Sequence, residues 1–301
     1  MSIGMKGENT IARIAFGAAA ALLVFGAASS ASAGFGEKDV ARMHSFGGQC
    51  HRCELSGRKL IGATFTAANF QEATLIGADL RGAELVMSNF SRSDFSRADL
   101  RGAELVTSKF NGAIFVRARL EGLEAVATQF VGANFTGANL GGGNLVMANF
   151  SEAILQRAGF ADADLTRANL TRVAAAGANF SDATLMMANM AHGHFGGANF
   201  RDATLDRAKL KGGFFARADF HEASLRHTDL RWTDLSLARN LTQAQVNQAC
   251  SDSSTKLPKG LKPKSCNMRA LVIPAPPALP APPATPPVPA TPKYIAAPET
   301  H

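Results

Sequence analysis

Aromatic residues other than phenylalanine are nearly missing from this chain: one Trp and one Tyr stand against 20 Phe in 301 residues. Cysteine is scarce, with four residues, enough for two disulfides but not for a disulfide-dense scaffold. Long apolar runs are lacking too. The longest, Ile14 to Ala27, has about 14 residues, short of the roughly 20 that span a bilayer. Net charge is absent from the body: residues 54–238 hold 19 Lys/Arg against 19 Asp/Glu. Such a balance gives the body no net positive charge of the kind expected of a nucleic-acid binder, and leaves an Arg-rich edge for an acidic partner as the alternative to a salt-bridged, solvated face. The basic pI comes from the ends, since residues 239–301 hold seven basic and two acidic residues, a net of +5.

What is abundant is order. From Leu55 to Leu235 a bulky apolar residue falls on nearly every position divisible by five, and 34 of these 37 are Leu or Phe. The exceptions are Ala125, Ala175 and Met190. Two residues before nearly all of them sits a small one, Ala at 24 of the 37. A period of five fits neither a helix nor a flat strand. It requires a chain that turns a corner every five residues and sends one large and one small side chain inward each time.

A second period of twenty lies inside the first, since ADLRGAELV at Ala78–Val86 recurs at Ala98–Val106. One column of slots runs Leu60, Leu80, Leu100, Leu120, Leu140, then Phe160, Phe180, Phe200, Phe220. The column ten residues away runs Phe70, Phe90, Phe110, Phe130, Phe150, then Leu170, Met190, Leu210, Leu230. If a coil takes twenty residues and has four sides, these columns face each other across the axis. A Phe opposite a Leu fills the interior, whereas two Phe are expected to overpack. At Leu123 with Ala125, and at Val173-Ala174-Ala175, the large and small residues exchange slots. Gly62, Gly77, Gly82, Gly102, Gly112 and Gly132 share one corner slot, where a turn calls for positive φ.

The pattern A(D/N)LxxA(N/D)F resembles the pentapeptide-repeat family. Ala78-Asp79-Leu80, Ala133-Asn134-Phe135, Ala138-Asn139-Leu140 and Ala168-Asn169-Leu170 carry the resemblance. It implies an all-β, right-handed quadrilateral β-helix of about nine coils over residues 55–237; the handedness comes from the resemblance alone. The string LTQAQVNQAC…TKLPKGL…C resembles the closing segment of exported members of that family.

The ends read differently from the body. Residues 1–33 have the basic start, apolar core and small-residue site of a signal peptide, with cleavage expected between Ala33 and Gly34. A periplasmic or secreted location follows. Residues 34–54 form an expected N-terminal cap with Cys50 and Cys53, and 238–273 a helical C-terminal cap with Cys250 and Cys266. In an oxidising space each local pair reads as a disulfide. Thr242 and Gln245 are spaced for a capping box, and Leu241 and Val246 for a hydrophobic staple, predicting a short helix near 243–250. Residues 274–301 are Pro/Ala-rich and cannot pack a core.

No catalytic constellation is visible. His192, His194, His221 and His227 fall in different columns, and no base is placed to activate a Ser or Thr. No cofactor is expected. Cys50-His51-Arg52-Cys53 is not a c-type haem site, because Glu54 stands where His is required. A zinc site using Cys50, Cys53, His51 and His44 is a weaker reading than a disulfide, for want of a second CxxC. The arginines pattern locally: Arg81 and Arg101 stack near Asp79, Asp99, Glu84 and Glu104, while Arg97, Arg117, Arg157 and Arg217 share a corner column. The leading reading is an exported, non-catalytic interaction module whose partner is a protein or an anionic envelope polymer. The alternatives are a metal- or redox-active protein built on Cys50 and Cys53, and a gyrase-binding DNA mimic of the kind the resemblance brings to mind. A neutral, exported body argues against the last.

Overall fold

The computed structural model describes residues 44–46 and 48–265. The expected signal peptide with Ala33 and Gly34, most of the N-terminal cap before residue 48, Cys266 and the Pro/Ala-rich tail lie outside the described residues. Within them the chain winds as a solenoid in which residue i pairs in parallel with residue i+20, as in Gln49↔Asn69, Asn69↔Asn89 and Asn89↔Lys109. A pairing residue occurs every fifth position, so each twenty-residue coil has four sides. The rungs are regular: Leu80 N donates to Asp99 O at 2.7 Å, and Asp99 N to Ala78 O at 2.9 Å. Only β1 (His44–Phe46) and β2 (Thr64–Thr66) are long enough to be strands, and they pair in parallel with His44 opposite Thr64. Elsewhere a side contributes one bridging residue, because a five-residue side spends the rest on its corners.

Most corners are tight turns in which the carbonyl of the bulky residue accepts from the N–H three residues on, as in Ala78 N to Leu75 O at 3.1 Å. The residue two after the bulky one is left-handed. From Arg52 to Trp232 this holds at 24 non-glycine and 13 glycine positions, with φ between 53° and 69°. The sequence pointed only to glycines here; the structure places Arg, Met, His and Trp in the same conformation. A left-handed L-residue costs about 1–2 kcal/mol. The ladder offsets it, since the N–H of such a residue bonds the coil above, as Met87 N does to Val106 O at 3.1 Å. No proline precedes Pro258, as expected where nearly every rung uses its N–H.

All bulky slots from Leu60 to Leu235 are at most 5% exposed, whereas Leu55 is only partly covered. Phenylalanines pile up along the axis: Phe90, Phe110, Phe130 and Phe150 stack with ring centroids 4.9–5.5 Å apart, and Phe160, Phe180, Phe200 and Phe220 at 5.0–5.2 Å. One expectation needs correction. Where the two columns exchange, Phe150 and Phe160 meet ten residues apart at 5.9 Å and 89°. Two rings therefore fit across the axis when one presents its edge.

Polar residues in the small slot are satisfied by the ladder. The Ser88 hydroxyl accepts from Ala68 N at 2.9 Å and donates to the carbonyl of Phe65; Ser108 does the same for Ser88 N and Leu85 O. The slot exchanges at Leu123/Ala125 and Val173/Ala175 are buried as anticipated, and each is followed one coil later by a glycine in the small slot. A Cβ at Gly143 would lie 2.6 Å from Leu123 Cδ2, and one at Gly193 would lie 3.2 Å from Val173 Cγ2.

The last coil is closed by α1 (Gln243–Gln248), with Thr242 as N-cap and a reciprocal capping box to Gln245. The same Gln245 donates through Nε2 to Phe220 O at 2.7 Å, which also accepts from Ala223 N, and to Ala223 O at 2.9 Å, a carbonyl left without a rung where the ladder stops. Gln245→Glu keeps the acceptor of the capping box and loses both donations. A fall in stability of about 1–3 kcal/mol is expected, read by urea unfolding; an unchanged midpoint would show that the carbonyls do not need the amide.

Candidate functional site

The outward residue of each side forms a column, and the four columns have different chemistry. On the Asp79 face, Arg81 grips Asp79 through two bonds of 2.8 and 2.7 Å, and Arg101 grips Asp99 identically one coil on. Arg119 approaches Asp99 from the next coil at 3.5 Å. The guanidinium beside each carboxylate holds Asp79 and Asp99 below the usual aspartate range. A carboxylate with a depressed folded value adds stability above its unfolded value and loses it as pH falls through the folded one. The melting temperature should therefore be flat from pH 7 to 5 and fall below the ordinary aspartate value of 3.8. The double variant Asp79→Asn/Asp99→Asn should show a shallower acid limb; an identical acid limb would contradict the pairing.

The Asn89 face is an amide ladder. Asn149 Nδ2 donates to Gln129 Oε1 at 3.0 Å and Asn169 Nδ2 to Asn149 Oδ1 at 3.1 Å. The same Asn169 Oδ1 accepts from Thr171 N at 3.1 Å, so the Asn/Asp of the motif caps its own corner. On the Glu84 face, Glu84, Glu104 and Glu124 bridge in sequence and are exposed. The arginines grouped with Glu84 and Glu104 by sequence turn to the aspartates instead. The Asp94 face is mostly uncharged, with Ile114, Ile154 and Phe214 between 36% and 43% exposed.

His192 and His194 are exposed, the His194 ring lies 6.3 Å from Phe214, and His221 Nε2 is 3.7 Å from Glu222. No group of three or more His, Cys, Asp or Glu suited to a metal occurs among the described residues. Cys50 and Cys53 form a disulfide with Cα atoms 5.5 Å apart. Neighbouring His51 Nε2 and Arg52 Nε both point to Glu72, at 3.7 and 2.8 Å. Cys250 is disulfide-bonded; Cys266, its expected partner, lies outside the described residues. A cleft of about 500 Å³ opens between α1 and the last coil, lined by polar side chains including His221, Glu222, Arg226 and Gln248. Among the described residues no helix is long and apolar enough to cross a membrane.

The sequence profile of pentapeptide repeats matches eight copies, over residues 49–85, 88–122, 133–172, 163–202 and 198–236. The chain belongs to the pentapeptide-repeat family. No curated protein matches the sequence. Among solved structures, this pentapeptide-repeat chain is similar to HetL, involved in heterocyst differentiation regulation in the cyanobacterium Nostoc sp. strain PCC 7120. The identity is 23%, over 73% of this chain and 94% of HetL, with a TM-score of 0.32. It is also similar to QnrB1, a plasmid-mediated fluoroquinolone resistance protein, at 17% identity over 69% of this chain and 92% of that one, TM-score 0.33. A pentapeptide-repeat protein from the Arabidopsis thaliana thylakoid lumen is 28% identical over 32% of this chain and 70% of its own, TM-score 0.21.

Proposed function

We propose that the protein is an exported interaction module, a rigid β-helical rod that binds a macromolecular partner without catalysis. The observation that carries this reading is the outer surface itself. Inward positions are committed to the core, and the outward columns run as ladders from coil to coil with, among the described residues, no nucleophile held against a base and an orienting group. Such a surface recognises shape and charge over several coils. The reading places the mature chain in a periplasm or outside the cell, with disulfides closing each cap and the basic, proline-rich tail as a tether.

Affinity capture from a periplasmic extract, with the full chain and with a chain lacking 274–301, tests it. The full chain should retain a protein or anionic polymer that the truncated chain holds less well. The loss should be larger at low salt, where charge attraction has its longest range. Turnover of a substrate abolished by a single surface substitution would overturn the non-enzymatic reading. Peptide mapping that found Cys50 and Cys53 as free thiols holding a metal would favour the metal or redox alternative.

A further inference from the structure

Along one corner of the rod, Val86, Val106, Val126 and Val146 succeed one another at one-coil intervals. The hydrogen bonds Met87 N to Val106 O, Thr107 N to Val126 O and Ala127 N to Val146 O stack them directly. Beside them Met87 is 61% and Met147 54% exposed. The other corners of these coils carry Arg, Glu, Ser, Asn or Gly among their residues, so this apolar ridge is local. Three steps of a parallel ladder make it about 15 Å long.

The ridge borders the Glu84 face. Glu84, Glu104 and Glu124 are exposed, stand on successive rungs and make no ion pair within 4 Å among the described residues. Only Thr64 and Asn144 hydrogen-bond to this ladder, at 3.3 Å to Glu84 and 2.8 Å to Glu124. Like charges directly opposite each other destabilise a sheet. On the adjacent face the equivalent acids, Asp79 and Asp99, are each neutralised by an arginine. The carboxylate ladder thus stacks three like charges without counter-charge, two of them eased only by a neutral hydrogen-bond donor.

We propose that this corner is the docking surface of the rod. Its occupant is a protein segment that sets apolar side chains on the Val/Met ridge and a row of Lys or Arg on Glu84, Glu104 and Glu124. The proposal rests on the interaction-module reading and gives the rod's own partner, as distinct from whatever the basic tail attracts, its chemistry: cationic and amphipathic, extended over three to four coils. Charge complementarity selects it, since neither a neutral apolar surface nor an anionic polymer matches three uncompensated carboxylates.

The test uses the full chain and two probes, an amphipathic Lys/Leu peptide and an oligolysine of equal charge, with binding followed by calorimetry. The amphipathic peptide should bind at least tenfold tighter than oligolysine. Glu84→Gln/Glu104→Gln/Glu124→Gln should weaken it at least tenfold while the melting temperature holds or rises, because the repulsion is removed. Met87→Ser/Met147→Ser should weaken the amphipathic peptide and leave oligolysine unchanged. Equal binding of the two probes, equal binding by the triple variant, or a triple variant that melts lower would each overturn the proposal. If the triple variant still captures partners from an extract as the natural chain does, this surface is wrong while the interaction-module reading stands.

Discussion

Phe110→Ala should lower stability by about 3–5 kcal/mol, the range for deleting a fully buried ring. Phe110 is fully buried, stacks on Phe90 and Phe130 at 5.4 and 5.5 Å, and meets the edges of Phe95 and Phe115 at 5.6 and 5.5 Å. The coils above and below are held at rung spacing by backbone bonds, so the cavity cannot collapse by sliding one coil onto the next. The opposed columns allow a sharper version. Leu100→Phe alone should cost about 1–3 kcal/mol by overpacking, towards the lower end because Phe150 and Phe160 already coexist edge to face. Adding Phe110→Leu should recover part of it; adding Phe200→Leu, five coils away, should not. Equal effects of the two second changes would mean that the columns do not face each other.

The second large effect lies at the slot exchange. Gly143→Ala would put a methyl 2.6 Å from Leu123 Cδ2 and 3.1 Å from the Leu140 carbonyl oxygen. Neither neighbour has room to retreat: Leu123 is fully buried and the carbonyl accepts from Gly143 N at 3.2 Å. A loss of about 1–3 kcal/mol is expected. Restoring the regular pattern, Leu123→Ala/Ala125→Leu/Gly143→Ala, should regain most of it. Urea unfolding of both variants decides the matter, and a triple variant no better than Gly143→Ala would show that the exchange is not a local swap of inward side chains.

Much of this fold is legible in the residues because each slot has a single physical task. The bulky slot fills the axis, the small slot lets backbones approach, and Asn or Asp caps the corner with its own carbonyl oxygen. The twenty-residue coil could be read from two columns that change character together, and the closing helix from Thr242 and Gln245. Other features could not be read so directly. The left-handed corners carrying Arg92, Met147 or Trp232 have no glycine to mark them, because the ladder supplies the compensation and the local sequence does not. Gly143 looks like an ordinary small residue until the large residue twenty positions earlier, Leu123, is placed beneath it, and that offset is the signal that would have found it; at Gly193 the Phe195 ring of the same coil stands nearer than Val173. The uncompensated status of Glu84, Glu104 and Glu124 was hidden for a related reason. Arg81 is two residues from Asp79 and three from Glu84, and only the direction of its side chain decides which carboxylate it neutralises.

Every column described, the Val/Met ridge and the carboxylate ladder included, depends on successive coils being twenty residues apart at rung spacing. Pulsed electron paramagnetic resonance on spin labels at Asn89→Cys and Lys209→Cys tests this most directly. The two sites stand on one face with six coil steps between them, about 29 Å along the axis at 4.8 Å per step. A second pair, Asn89→Cys and Lys109→Cys, should fall one step apart and couple strongly. A separation for the first pair far from 29 Å, or no growth from the second pair to the first, would contradict the twenty-residue coil and the docking surface built on it.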